Sequence, residues 1–151
     1  MRAYLFQYTQ WMDEKRRSMY TSIGLLILRL GVGGLMITHG WGKLANFGAL
    51  ASRFSDPLGL GSTVTLVLVV FAEFFCALLV MLGAVTRLAV IPLIINMSVI
   101  AFVVHADDPW QRQEFALLFL IPFLTLLFTG PGQFSIDGLI RWRTPELDRR
   151  G

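Results

Sequence analysis

The chain has 151 residues, of which 55% are hydrophobic and only 15% are charged, and its mean hydropathy is +0.63. Soluble domains usually carry about a quarter charged residues, and here the charges cluster at the two ends and in short connectors. The composition therefore excludes an ordinary soluble globular domain. The formal net charge is +3. Because the basic residues flank apolar segments, lipid headgroups rather than nucleic acid are their expected partners.

Residues 1–21 are predicted to form a cytoplasmic or interfacial N-terminal segment. Apolar and aromatic residues recur in it at helical spacing, just before a basic run: Tyr4, Leu5, Tyr8, Trp11 and Met12. This spacing predicts a short amphipathic helix that lies in the membrane interface. A floppy tail is the alternative, because an isolated helix of this length is only marginally stable.

Four apolar segments follow, at about residues 23–41, 62–82, 86–104 and 114–128, and we call them spans one to four. A helix needs roughly 20 residues to cross the hydrocarbon layer. A soluble bundle of these helices would need more polar outer faces than the sequence offers. The predicted fold is thus an all-α membrane protein, with a four-helix transmembrane bundle over residues 22–140 and a basic cytoplasmic tail over residues 141–151.

The connectors between the spans differ in length. Residues 83–87 join spans two and three tightly, so these helices are predicted to be antiparallel neighbours. The connector at residues 43–61 is longer, and its Asp-Pro pair and glycines predict a short helix and a turn. Pro92 and Pro122 fall inside spans, where each is expected to bend its helix.

The distribution of Lys and Arg predicts how the chain is oriented. Near the span ends, nine of these residues lie on the side of the two termini and three lie on the side of the longer connectors. Lys and Arg are enriched on the cytoplasmic side of membrane proteins. We therefore expect a multi-pass protein of a bacterial-type inner membrane, with both termini in the cytoplasm.

Arg29, Glu73 and Asn96 are polar residues inside spans one, two and three. A charge in the bilayer is costly and should face the bundle interior with a partner. Counted from the span ends, Arg29 and Glu73 fall at a similar depth, so an Arg29–Glu73 pair braced by Asn96 is predicted. The pair has two interpretations: the polar floor of a cavity for a headgroup or small molecule, or a structural ion pair that fixes the register of the helices.

Further polar residues gather near the predicted outer mouth of the bundle: His39, Lys43, His105 and Glu114. They are predicted to converge from three helices, where they could bind an anion, relay protons or contact a quinone ring. The alternative is an interfacial polar girdle in which Trp41 and Trp110 anchor the protein at the headgroups.

The sequence gives little support for a resident cofactor. His39 and His105 satisfy the ligand count of a b-type haem, but neither neighbourhood is specific for haem, so haem is not predicted. The single cysteine, Cys76, cannot form an intrachain disulfide. We expect no covalent cofactor and no metal site, which leaves a bound quinone as the cofactor to consider.

Several motifs occur in a fixed order along the chain. They are Leu28-Arg29-Leu30, His39-Gly40-Trp41-Gly42-Lys43-Leu44, Ala72-Glu73, Leu82-Gly83-Ala84-Val85-Thr86-Arg87-Leu88, Glu114 and Gly130-Pro131-Gly132-Gln133-Phe134-Ser135-Ile136-Asp137. Together they resemble the DoxX family of four-span membrane proteins over roughly residues 22–140. Gln133, Phe134 and Ile136 depart mildly from the family's ending.

The resemblance implies a four-helix transmembrane bundle with both termini inside, and it leaves two functions open. In the first, the chain is the membrane subunit of a redox complex that links sulfur or thiol oxidation to the quinone pool, as family members in thiosulfate:quinone oxidoreduction are. In the second, it is a non-enzymatic scaffold or an assembly or chaperone partner, as in distant relatives. Either function implies a protein partner or a homo-oligomer, and the fold alone does not select a reaction.

Overall fold

The computed structural model describes the backbone of residues 2–143 and the side chains of residues 14–141. Within that part of the chain the secondary structure is helical and contains no strand. The helices are α1 (Arg2–Ala45), α2 (Phe47–Leu50), α3 (Ser62–Leu82), α4 (Thr86–Val104), α5 (Trp110–Thr129) and α6 (Ile136–Arg143).

Four of these helices, α1, α3, α4 and α5, are long and apolar enough to cross a membrane. The predicted all-α, four-span fold is therefore confirmed. The bounds of α3 and α4 agree with those predicted for spans two and three. In contrast, α5 begins four residues before the predicted span, and α1 extends beyond span one at both ends. A helix can continue through polar residues at the interface, and a count of apolar residues leaves these out.

The N-terminal segment is part of α1 rather than a separate element. The helix runs from Arg2 to Ala45 over 44 residues, about 66 Å at the rise of an α-helix, whereas the hydrocarbon core is about 30 Å thick. The side chains before Glu14 lie outside the described residues, and so does the predicted amphipathic face.

The helices pack in two main antiparallel pairs, α1 with α3 and α4 with α5. Their facing sides form one apolar core in which Met36, Val80, Leu93 and Phe123 are buried. The opposite sides expose large apolar side chains, such as Phe128 at 77%. Apolar surface of this kind is stable against acyl chains and not against water, so the surface is that of a membrane protein.

Each end of the bundle has its own type of connection. The turn end consists of the α3–α4 turn, residues 83–85, and the loop at residues 130–135. The connector end consists of residues 46–61, between α1 and α3, and residues 105–109, between α4 and α5. The predicted tight turn is confirmed, with left-handed backbone at Gly83 and Val85. The predicted short helix in the longer connector is α2.

Two helices that cross the membrane contain π-helical stretches that no feature of the sequence predicted. The first, Phe71–Cys76, lies in the middle of α3, and the second, Ile100–Val104, ends α4. Such stretches widen one turn of the helix and are frequent at functional sites. Pro92 and Pro122 lie inside α4 and α5 as expected, and their bending of these helices stays a prediction.

Candidate functional site

A cavity of about 550 Å³ lies at the connector end between α3, α4 and the longer connector. Most of its wall is apolar, with Leu68 and Phe71 from α3, Ile95 and Val99 from α4, and Leu58 from the connector. The volume falls within the roughly 300–1,000 Å³ of small-molecule sites, which are also mostly apolar with a few placed polar groups. We call this space the Glu73 cavity, after the residue at its floor.

Glu73 is 2% exposed, and both oxygens of its carboxylate have partners. Lys43 of α1 forms an ion pair with Oε2. The Asn96 side chain of α4 donates a hydrogen bond to Oε1 at 3.1 Å. A buried carboxylate is stable only when its charge and lone pairs are satisfied in this way. Three helices therefore meet at one carboxylate that also faces the cavity.

Gly40 explains how Lys43 reaches Glu73. A Cβ at Gly40 would lie 2.6 Å from the carbonyl carbon of Glu73 and 2.6 Å from the amide nitrogen of Phe74. The backbones of α1 and α3 thus touch at this level, as small residues allow in membrane helix pairs. Lys43 follows Gly40 by about one turn, so its long side chain spans the short gap to the carboxylate.

The predicted pair between Arg29 and Glu73 is wrong. Arg29 is fully buried at the turn end, where its guanidinium donates to the main-chain carbonyl of Met81 at 3.3 Å and to that of Phe134. The depth estimate assumed that spans one and two end at the same level. Instead Gly40 is level with Glu73, and Arg29 lies eleven residues before Gly40, about 16 Å along the helix.

The turn end is closed by what we call the arginine lock, formed by Arg29, Gly83, Phe134 and Asp137. The guanidinium of Arg29 lies so close to Gly83 that a Cβ at this position would clash with Nη1. The Asp137 carboxylate accepts hydrogen bonds from the amides of Val85 at 2.7 Å and Thr86 at 2.9 Å, and the Asp137 amide donates to the Gly83 carbonyl. The lock ties the loop after α5 to the α3–α4 turn.

His105 belongs to the rim of the Glu73 cavity. Its Nδ1 lies 2.7 Å from the Asp108 carboxylate, which Arg112 also contacts at 3.2 Å. These hydrogen bonds, from His105 first and Arg112 second, lower the pKa of Asp108 below its ordinary value. The Gln113 side chain holds the carbonyl of His105 at 2.7 Å. The rim thus carries a histidine whose position is fixed by the link between α4 and α5.

The other two residues of the predicted mouth do not line the Glu73 cavity. His39 packs edge-on against Phe115 and Phe119 of α5, with ring centroids 5.6 and 6.0 Å apart. Glu114 is exposed near the start of α5. The predicted convergence therefore holds for Lys43 and His105 only. Residues four apart on a helix differ in direction by about 40°, so His39 contacts α5 while Lys43 extends to α3.

The part of the connector that covers the cavity was not anticipated from the sequence. Phe54, Pro57 and Leu58 lie over the space between α3 and α4. Asp56 holds this segment by accepting hydrogen bonds from the Thr65 hydroxyl at 2.8 Å and the Gly61 amide at 2.6 Å. These bonds, with that of Thr65 foremost, lower the pKa of Asp56. The signal in the sequence was the number of apolar residues in the connector, such as Phe54, Leu58 and Leu60.

Metal-binding residue types are not grouped at this site. Across the described residues, no three His, Cys, Asp or Glu side chains come together as a ligand set. His39 and His105 contact different partners, as described above. The donors that line the cavity include an ammonium, an amide, an imidazole and the hydroxyl groups of Ser55 and Thr65, which suit hydrogen bonding to a polar organic group.

Comparisons with known proteins agree with this architecture. The DoxX family model matches residues 24–106. Inner membrane protein YqjF of Escherichia coli (strain K12) is 30% identical over 124 residues, which cover 78% of this chain and 92% of the relative. An uncharacterized protein of Haemophilus influenzae is 26% identical over 137 residues, or 85% of this chain and 91% of the relative. No solved structure matches. With four membrane-spanning helices and this match over more than half of its length, the chain is a member of the DoxX family.

Proposed function

We propose that this protein is the quinone-binding membrane subunit of a redox complex that passes electrons from a sulfur or thiol donor to the quinone pool. The single observation that carries the proposal is the Glu73 cavity, which joins a large apolar wall to one buried, fully partnered carboxylate. The resemblance of the motifs to the DoxX family supplies the class of donor. An inner membrane location, supported by the E. coli relative, gives access to the pool.

The polarity of the cavity suits a molecule with a polar ring and an apolar tail. Lys43 and Asn96 carry hydrogen-bond donors next to Glu73, and quinone carbonyls are acceptors. Leu68, Phe71 and Ile95 line the cavity and are about half exposed on the surface that faces lipid. An isoprenoid tail would lie along these residues, so the ligand would enter from the bilayer rather than from water.

The chemistry divides between this chain and a partner. Oxidation of two thiols to a disulfide releases two electrons and two protons, and reduction of a quinone to a quinol takes up the same number of each. In this proposal the partner subunit oxidises the thiols, and the quinone itself accepts the electrons. In this proposal the residues of this chain bind and orient the ring, and Glu73 and His105 pass protons between the ring and the rim of the cavity.

Photoaffinity labelling with an azidoquinone tests the site directly. In lipid nanodiscs, we expect labelled peptides from Leu68–Glu73 and Ile95–Ile100, and an excess of unreactive quinone should remove the label. Glu73→Gln should reduce labelling at least about tenfold. The Glu73 carboxylate holds Lys43 and Asn96 in position, and the quinone ring would lose a hydrogen bond from them. Glu114→Gln is the matched control, since this exposed carboxylate lies outside the cavity, and its labelling should equal that of the wild type.

Filling the cavity provides a second variant that leaves the charges intact. Val99→Trp places a large ring in the cavity wall, and Leu118→Trp places the same ring on a lipid-facing side chain that is 62% exposed. Only the first should abolish labelling. Labelling that is spread over the lipid-facing surface, or that both tryptophan variants retain, would contradict a quinone site in the Glu73 cavity.

The alternative function is a non-enzymatic scaffold or an assembly or chaperone partner. It is favoured by a specific observation: the carboxylate of Glu73 and the guanidinium of Arg29 are each held by other groups of the chain, as a purely structural role requires. Under this alternative, Glu73→Gln should lower the melting temperature without changing quinone-dependent thiol oxidation by membranes. Loss of that oxidation with an unchanged melting temperature excludes the scaffold.

A further inference from the structure

A second cavity lies at the turn end, at the opposite end of the bundle from the Glu73 cavity. Its volume is about 370 Å³, and it lies between α1, the loop after α5, and α6. Its wall is more polar than that of the first cavity. Its lining residues include Arg87, Arg141 and Thr21. We call this space the arginine cavity.

The charge of the arginine cavity is positive. Asp137 also lines it, but both oxygens of this carboxylate accept amide hydrogen bonds from the start of α4. Arg87 donates once, to the Phe128 carbonyl at 3.3 Å, and a guanidinium has five N–H donors. Within the side chains that the structure describes, neither Arg87 nor Arg141 forms an ion pair. Donors therefore remain for an anion.

Exposed apolar side chains directly adjoin, along the chain, residues that line this cavity. Phe128 is 77% exposed and precedes Thr129, Leu139 is 65% exposed and follows Gly138, and Tyr20 is 62% exposed and precedes Thr21. Leu25 forms part of the cavity wall. A basic pocket for a phosphate group beside lipid-facing apolar surface has the pattern of a phospholipid, with the headgroup in the pocket and the acyl chains along the helices. A site for a free anion would not need this neighbouring apolar surface.

We infer that the arginine cavity binds the phosphate group of one anionic phospholipid through Arg87, Arg141 and the Thr21 hydroxyl. This site is independent of the Glu73 cavity and of the proposed redox function. The excess of Lys and Arg predicts that the turn end faces the cytoplasm, where the surface of the bilayer is rich in anionic lipid. The bound lipid would fix the depth of the bundle at that surface.

Native mass spectrometry of the protein released from nanodiscs tests this inference. With equal amounts of phosphatidylglycerol and phosphatidylcholine, we expect one retained phosphatidylglycerol for each chain. The double variant Arg87→Gln/Arg141→Gln should lower its apparent affinity by about 30-fold, because two interfacial cations are lost. Arg53→Gln/Arg112→Gln makes the same change of charge at the connector end and should retain the lipid.

Further arms distinguish the lipid from a free anion and guard against loss of folding. Excess inorganic phosphate should not displace the lipid, and displacement of the lipid by that excess would overturn the inference in favour of a free phosphate site. Thr21→Phe fills the cavity from an exposed position of α1 and should release the lipid without lowering the melting temperature. Equal retention of the two lipids, or retention of phosphatidylglycerol by the filled variant, would also overturn it.

Discussion

Arg29 at the turn end is held by main-chain carbonyls, whereas Glu73 at the connector end is held by the side chains of two other helices. In both places a buried charge avoids lipid, but the consequences differ. Main-chain partners tie Arg29 to the end of α3 and to the loop after α5. Side-chain partners hold Glu73 at the floor of a cavity of about 550 Å³. Buried charge thus closes the bundle at one end and, under the proposed function, takes part in ligand binding at the other.

Removal of the Arg29 side chain should have the largest effect on stability, because Arg29 closes the turn end of the bundle. Arg29→Met leaves the carbonyls of Met81 and Phe134 without their donor in a buried site. Each buried carbonyl left without a donor costs about 1–3 kcal/mol, so we expect a loss of about 2–6 kcal/mol in the free energy of unfolding, measured by denaturant titration in mixed micelles. Arg112→Met is the control, because this side chain is 66% exposed, and it should change stability by less than about 0.5 kcal/mol.

The contact between α1 and α3 provides the next test. Gly40→Ala inserts a methyl group 2.6 Å from the backbone of α3, so the helices must separate, at a cost of about 1–3 kcal/mol. Quinone labelling should fall as well, because Lys43 moves away from Glu73. Gly42→Ala meets nothing within 4 Å and should be neutral or stabilising by up to about 1 kcal/mol. Equal effects of the two alanines would contradict the close approach.

Asp137→Asn sharpens the description of the arginine lock. The carboxylate accepts hydrogen bonds from the amides of Val85 and Thr86. It therefore caps the start of α4 from outside that helix. The amide side chain keeps one acceptor and loses the other, so we expect a loss of about 1 kcal/mol in the same titration. Quinone labelling should not change. A drop in labelling as large as that of Glu73→Gln would show that the two ends are coupled.

The smallest expected effect concerns the connector above the Glu73 cavity. The pKa of Asp56 is lowered by its hydrogen bonds to Thr65, Gly61 and Leu60, so folding favours its ionised form. This contribution to stability is present at pH values above the ordinary Asp pKa of about 3.9, and it is lost as the pH falls through the lower pKa of Asp56 in the folded protein. The melting temperature of Asp56→Asn should therefore lie below that of the wild type at neutral pH, and the difference should vanish in strong acid. A constant difference would exclude this linkage.

The sequence was sufficient for the four spans, because long apolar runs have few alternatives to a membrane helix. It also led to Glu73, Asn96, Lys43 and His105, which the structure brings together at the Glu73 cavity, because a polar group in a span is rarely without a role. The positions of the connectors followed from their glycines and prolines.

The partners of the charges could not be predicted from sequence. Depth counted from the end of a span takes no account of how far a helix extends past the bilayer, and α1 continues to Ala45. The close contact at Gly40 fixes the register between α1 and α3, and one glycine among several gives no sign of such a contact. The connector over the cavity depends on the side-chain hydrogen bonds of Asp56, and these are visible only in three dimensions.

A double-mutant cycle measures most directly which cation pairs with Glu73. Glu73→Gln is combined with Lys43→Met in one cycle and with Arg29→Lys, which retains the charge at the turn end, in the other. We predict a coupling energy of about 1 kcal/mol or more between Lys43 and Glu73, and additive effects of Arg29 and Glu73 within about 0.5 kcal/mol. Coupling of Glu73 to Arg29, with none to Lys43, would contradict the separation of the two ends.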